Sequence, residues 1–188
     1  SSYDSRQTIV DSLVVAIGST ILTVFAGVTA AYALSRMKFR GRQAYLNWIL
    51  SQRFVPPIAI IVPVVFMFHY MGLRDTLLGL IFIHTLINVP LAVLMMKSFF
   101  DDVPVEIDEA AMLDGANRWT IYWRIILPLL RPAIATVVII KGIAIYNEFY
   151  APFLYLPSEG LISTSLFRFK GPFGAQWEVI AAGTIVVL

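Results

Sequence analysis

The sequence predicts an all-α fold, a polytopic transmembrane helix bundle interrupted by one polar helix-turn-helix, and three observations carry that expectation. Of its 188 residues, 59% are hydrophobic and 14% charged, against roughly 45–50% and about 25% in soluble domains. Apolar runs at 9–34, 45–70, 77–96 and 132–150 match the ~20 residues that a membrane-crossing helix requires. Thirteen Phe, eight Tyr and four Trp suit lipid-facing and interfacial positions. A net charge of +2, thinly spread, excludes nucleic acid as a partner, and the absence of Cys excludes disulfides, thiolate metal sites and Cys nucleophiles.

The first run, 9–34, carries Ala16, Gly18, Ser19, Gly27, Ala30 and Ala31. Small residues let helix backbones approach closely in lipid, so a packed span is expected rather than a lone anchor. It ends in SRMKFRGR, where Arg36, Lys38, Arg40 and Arg42 crowd a short loop without an acidic residue. The positive-inside rule puts that loop in the cytoplasm and the N-terminus outside.

The second run, 45–70, contains Arg53, Pro56, Pro57 and Pro63. Each proline removes a backbone donor and tends to kink or break a helix, and broken membrane helices line cavities. The turn MGLRDT leads to the third run, 77–96, with Asn88 and Pro90 at its middle, which returns the chain to the cytoplasm at Lys97. Pro132 opens the fourth run, 132–150, and LPSEGLISTSLFRFKGPFGAQ reads as a long outer loop. The fifth run, 177–188, reads as truncated, since it reaches about half a spanning length. With a polar start at 1–8 that lacks a signal-like charged flank, this predicts a fragment missing a first helix and most of its last. Outside the spans, eight cations lie on the assigned cytoplasmic side (Arg36, Lys38, Arg40, Arg42, Lys97, Arg118, Arg124, Arg131) and four outside (Arg6, Arg74, Arg168, Lys170). The orientation is self-consistent.

The polar insert, 101–128, follows the third run. Pro104 suits a first helical turn, Asp101 and Asp102 offer capping oxygens, and Glu106, Asp108 and Glu109 complement the helix dipole. This helix, about eleven residues long, should end at Gly115, the residue best able to adopt a left-handed conformation. Asn117 can cap a second helix, 118–127, which Pro128 and Pro132 terminate. Ala110 and Ala111 give a low face that admits a partner, the acidic residues give directional contacts, and Trp119, Tyr122 and Trp123 suit the membrane interface. On these grounds the insert is either a docking element or an amphipathic connector between two spans.

The series Glu109, Ala110, Ala111, three residues, Gly115, nine residues, Ile125, one residue, Leu127 and Pro128 resembles the EAA signature of permease subunits of bacterial binding-protein-dependent ABC importers. All seven fixed positions of the window 109–128 are met. SRMKFRG, the PP pair, LPLLRPA and YNEF are similar to the carbohydrate-importer branch, in particular to the shorter maltose-permease type of subunit. The resemblance implies that the insert is a coupling helix seated in a cleft of a cytoplasmic ATPase subunit, with Glu109 and Gly115 as docking and turn residues. It implies a second, different permease subunit, two ATPase subunits, an extracytoplasmic solute-binding protein that delivers a sugar or oligosaccharide, and the plasma membrane of a prokaryote. The chain has no GxxxxGK[ST] phosphate loop. ATP and Mg are therefore expected on the partner ATPase, with no cofactor on this chain and no enzyme activity of its own.

Arg53, Asn88, Lys141, Asn147 and Glu148 are polar groups at membrane depth. A central charge there costs roughly 2.5–3.5 kcal/mol on insertion scales, so each should face protein or water. Lys141 and Glu148, seven residues apart, should share one face of the fourth span. Two readings stand: a translocation path in which Asn88, Lys141, Tyr146, Asn147, Glu148 and Arg53 meet sugar hydroxyls, or interhelical hydrogen bonding with Arg53 snorkelling. Lys141 and Tyr146 depart from the family pattern, where an uncharged residue and Trp are common. An acidic sugar, a polyol, a sugar phosphate or an amino acid are alternative solutes. A secondary transporter or channel using Lys141 and Glu148 as a relay would leave the seven-position motif unexplained. His69 and His84 lack metal-ligand spacing.

Overall fold

A computed structural model describes residues 5–148, 150–155, 161, 170–171 and 174–175. These residues are helical almost throughout, with α1 (Ser5–Arg36), α2 (Arg42–Ser51), α3 (Pro57–Tyr70), α4 (Leu77–Asp101), α5 (Val105–Leu113), α6 (Arg118–Thr120), α7 (Leu127–Leu129), α8 (Arg131–Tyr146) and α9 (Tyr150–Tyr155). A short antiparallel pairing, Lys170–Gly171 with Gly174–Ala175, falls in the expected outer loop. The fifth run, 177–188, and most of that loop lie outside the described residues. Two helices, α1 and α4, are long and apolar enough to cross a membrane, and up to four spans result if each broken pair, α2 with α3 and α6–α7 with α8, is counted as one.

The second run is not one helix. A 3-10 turn, Gln52–Phe54, follows α2, and Val55 is extended at φ −81° and ψ 123°. That conformation follows from Pro56, because a proline ring pushes its predecessor out of the helical region. Pro57 then opens α3, where its missing donor costs nothing. Pro63 and Pro90 are held inside the continuous helices α3 and α4, so neither breaks its helix. The third helix outruns its apolar stretch as far as Asp101, which forms an i,i+4 ion pair with Lys97. The fourth run also divides, α8 ending at Tyr146 and α9 beginning at Tyr150. Pro152 stands in the first turn of α9, where no donor is required, and the Glu148 carboxylate accepts the free Ala151 amide of that turn at 3.0 Å.

The chain resolves into two compact units. In the first (Ser1–Ser19, Pro57–His84, Gly142–Leu188), α1 buries Ser12, Val15, Ala16 and Ser19, an i, i+3, i+4, i+7 face. The Ser19 hydroxyl donates to the Ile81 carbonyl at 3.4 Å. Tyr155 packs edge-on against Phe68 and donates its hydroxyl to the Leu73 carbonyl. In the second unit (Thr20–Pro56, Thr85–Lys141), Val24, Val28, Ala31 and Leu34 of α1 meet Ala92, Val93, Met96 and Phe100 of α4. A Cβ added at Gly27 would lie 2.8 Å from Ala92 Cβ, so these helices pack at a distance that glycine permits.

Candidate functional site

The polar insert folds as two short helical pieces within the second unit. The first, α5, has nine residues, with Glu106 and Asp108 in its first turn. Pro104 occupies the N-cap and no side-chain cap hydrogen bond forms, contrary to the expectation for Asp101 and Asp102. Asp101 is already engaged as the last residue of α4, accepting from Ser35 Oγ at 2.7 Å as well as pairing with Lys97. At the other end Gly115 is left-handed at φ +84°. Its amide donates to Met112 O and that of Ala116 to Ala111 O, each at 3.0 Å, the paired bonds of a Schellman stop. Asn117 caps the next piece as expected, its Oδ1 accepting the Thr120 amide at 2.8 Å.

That second piece is not a regular helix. One turn, α6, passes into a π-helix over Ile121–Ile126 and then into α7. Pro128 stands in the first turn of α7, where no donor is required, so it does not end the segment. The chain turns instead at Leu130. Trp119 (70% exposed) and Trp123 lie on the surface as an interfacial role requires, but Tyr122 is buried. Its ring sits 4.7 Å from that of Tyr32, and its hydroxyl lies 3.2 Å from Thr29 Oγ1. It ties the insert to α1.

The two alanines of the signature also part company. Ala111 is buried in the core of the unit and Ala110 is exposed. The exposed side of α5 carries Glu106, Glu109, Ala110, Met112 and, at 90% exposure, Leu113. A large apolar side chain standing clear at the end of an acidic helix is the kind of anchor that protein interfaces enclose. Ile125, Leu127 and Pro128 are half-buried, and Ile125 and Leu127 pack against the core of the unit.

On the opposite side of α5, Asp108 meets Arg36, the last residue of α1. Arg36 Nε lies 2.8 Å from Asp108 Oδ2, with each side chain 6% exposed. Arg36 Nη2 also donates to the Val103 carbonyl at 2.6 Å. Burial pushes the Asp108 carboxyl above its ordinary value, and the Arg36 and Arg118 guanidiniums pull it back only in part. Removing one partner of such a buried pair costs roughly 3–5 kcal/mol. Sequence reasoning counted Arg36 among loop charges and Asp108 among dipole partners and missed their pairing. No sequence signal marked the pair, because it depends on which face of α5 is buried.

The membrane-depth residues behave individually. Lys141 is 2% exposed and donates to Asn88 Oδ1 at 3.2 Å, within the second unit. Arg53 is exposed, in the 3-10 turn. Tyr146 is half-buried at the end of α8 and Asn147 exposed just beyond it. Glu148 also lies past the helix, so the seven-residue spacing does not put Lys141 and Glu148 on one helical face. Within the first unit its carboxylate lies 4.0 Å from the buried His84 Nδ1. No cluster of three metal-ligating side chains occurs among the described residues.

The family model described as binding-protein-dependent transport system inner membrane component matches residues 23–188. The inner membrane ABC transporter permease protein YcjP of Escherichia coli is 36% identical over 79% of this chain and 53% of its own. The sulfoquinovosyl glycerol transport system permease protein SmoH of Agrobacterium fabrum is 29% identical over 94% of this chain and 62% of its own. Among solved structures, a bacterial ABC transporter involved in import of the acidic polysaccharide alginate superposes with a TM-score of 0.76 at 23% identity. The match covers 96% of this chain and 68% of that one, and at this identity it speaks for the fold. The chain spans about half to two thirds of the length of the curated relatives it matches.

Proposed function

Since the chain belongs to the family of binding-protein-dependent transport system inner membrane components, we propose that it is the membrane-spanning permease subunit of an ATP-driven importer. The observation that carries this reading is α5. It is a short acidic helix, stopped by a left-handed Gly115, with one face buried in the bundle and the other presenting Glu109, Ala110, Met112 and Leu113. The exposed face seats in a cleft of a cytoplasmic ATPase subunit. Closure and opening of two such ATPases bias the membrane helices between outward-facing and inward-facing packings. ATP and Mg belong to those partners. This chain contributes passage and coupling together with a second permease subunit in a prokaryotic plasma membrane, and an extracytoplasmic binding protein delivers the solute.

The solute we propose is a sugar or oligosaccharide. The relative named for sulfoquinovosyl glycerol transport supports a carbohydrate. Tyr146 and Asn147 are our candidates for contact with sugar hydroxyls, because Asn147 is exposed and Tyr146 half-buried and each carries a hydrogen-bonding group, and the exposed Arg53 is a third. Lys141 is buried and donates to the half-buried Asn88, which supports an interhelical role for that pair.

The docking reading is tested by Glu109→Lys combined with Gly115→Asp in the full-length permease, co-expressed with its ATPase. The expected result is normal membrane insertion with loss of ATPase copurification. Unchanged association and uptake would overturn it.

A further inference from the structure

The exposed face of α5 explains how a partner could hold this chain, but not how a push on a nine-residue helix reaches the spans. The contacts of its buried face supply an answer. Arg36 closes α1, and its guanidinium reaches both the Asp108 carboxylate at 2.8 Å and the Val103 carbonyl at 2.6 Å. The preceding residue, Ser35, donates to Asp101 at 2.7 Å. The last two residues of α1 therefore grip the end of α4, the 102–104 turn and the first turn of α5. Asp108 adjoins Glu109 in sequence, yet one is buried and the other exposed, as the helical turn of about 100° per residue dictates.

We propose that the buried Arg36–Asp108 pair is a positioning link that makes α5 and the cytoplasmic end of α1 move as one body, so that displacement of the docking helix is delivered to the first span. This rests on the docking reading above and assigns to two residues outside the seven-position signature the transmission that docking requires. The physical reason is stiffness. Parting the pair would strand two charges in apolar surroundings, whereas sliding of α5 over purely apolar contacts such as Ala111 meets no comparable barrier. Neither Arg36 Nε nor Asp108 Oδ1 has a hydrogen-bond partner among the described residues, so the 2.8 Å contact between Nε and Oδ2 is held by charge attraction between two buried groups. That ion pair joins the first turn of α5 to the end of α1.

The test uses the full-length permease assembled with its ATPase and binding-protein partners in lipid vesicles, with phosphate release from MgATP as the readout. Arg36→Gln and Asp108→Asn should each keep ATPase copurification while losing about tenfold of the hydrolysis stimulated by the binding protein. The reversed pair, Arg36→Asp with Asp108→Arg, should recover part of that loss. Recovery should be incomplete, because it puts an acid at a helix C-terminus and a base at a helix N-terminus. Stimulation within twofold of wild type in both single variants would overturn the link, as would a reversed pair no better than either single.

If the single variants do not accumulate in the membrane, Arg36→Met with Asp108→Leu decides, since an apolar pair of similar volume restores packing without the charge. Assembly without stimulated hydrolysis supports the link. Wild-type stimulation, or failure of this variant also to accumulate, overturns it. Glu109→Lys in the same membranes separates the two ideas: retained ATPase association there defeats docking itself, while lost association beside fully active Arg36 and Asp108 variants defeats only the link.

Discussion

At the scale of single residues, close packing sets different costs on glycines that look alike in the sequence. Gly72 is left-handed at φ +69° and has no neighbouring atom within 4 Å of an added Cβ. Gly79 has an ordinary helical backbone, but a Cβ there would stand 1.8 Å from Tyr155 Oη and 2.8 Å from the Leu73 carbonyl. Gly72→Ala should therefore cost only backbone strain, about 1 kcal/mol. Gly79→Ala must displace a buried ring and its hydrogen bond, at about 1–3 kcal/mol or more. Thermal unfolding of the purified permease in detergent should rank Gly79→Ala well below Gly72→Ala. Equal midpoints would mean that Tyr155 does not pack as described. The sequence puts Gly72 in a turn and Gly79 in a span, but it does not show the crowding at Gly79, which comes from an aromatic side chain 76 residues away along the chain.

At the scale of elements, local chemistry was legible where short-range rules decide and misleading where tertiary contact decides. The Gly115 stop and the Asn117 cap could be read directly, since each depends on a few neighbouring backbone groups. The break before α3 could be read from the prolines, though their count did not reveal which would break the chain: Pro56 does, while Pro63 lies inside a helix. The faces of α5 were not legible, because adjacent alanines gave no sign that one faces the core and the other solvent. Nor was the π-helix at Ile121–Ile126, which brings Ile121, Tyr122 and Ile126 together into the core. Wide turns of this kind mark functional stretches often enough to be worth noting. The exposed face of α5 supports a prediction of its own. If Leu113 is an anchor buried by the ATPase, Leu113→Ala should remove roughly 1.5–3 kcal/mol of association. That is about ten- to a hundredfold in affinity, measurable by titrating detergent-solubilised permease with the ATPase subunit. Leu113 supports nothing within its own unit at 90% exposure, so the fold should be unaffected and an unchanged affinity would remove it from the interface.

At the scale of the whole molecule, the membrane orientation is what connects docking to transport, and the charges behind it are not equivalent. Of the four cations between α1 and α2, Arg36 is engaged by Asp108 and Arg42 donates to the Leu34 and Ser35 carbonyls at the end of α1. Lys38 and Arg40 are exposed, and under the positive-inside rule they would bias the loop towards the cytoplasm. Two of these four cations therefore double as capping and pairing chemistry. In the proposed orientation the same side carries α5, whose exposed Glu106 and Glu109 are too polar for lipid. These 188 residues contain no cysteine, so once any cysteine elsewhere in the full-length permease is replaced, single substitutions report sidedness without background labelling. Lys38→Cys and Glu106→Cys should react with a membrane-impermeant maleimide only in inverted vesicles, and Arg74→Cys, in the turn between α3 and α4, only in right-side-out cells. If Lys38→Cys and Glu106→Cys label from opposite sides, the Arg36–Asp108 pair cannot join α1 to α5 in the membrane. If both label from outside, α5 faces away from any cytoplasmic ATPase and the coupling mechanism falls with it.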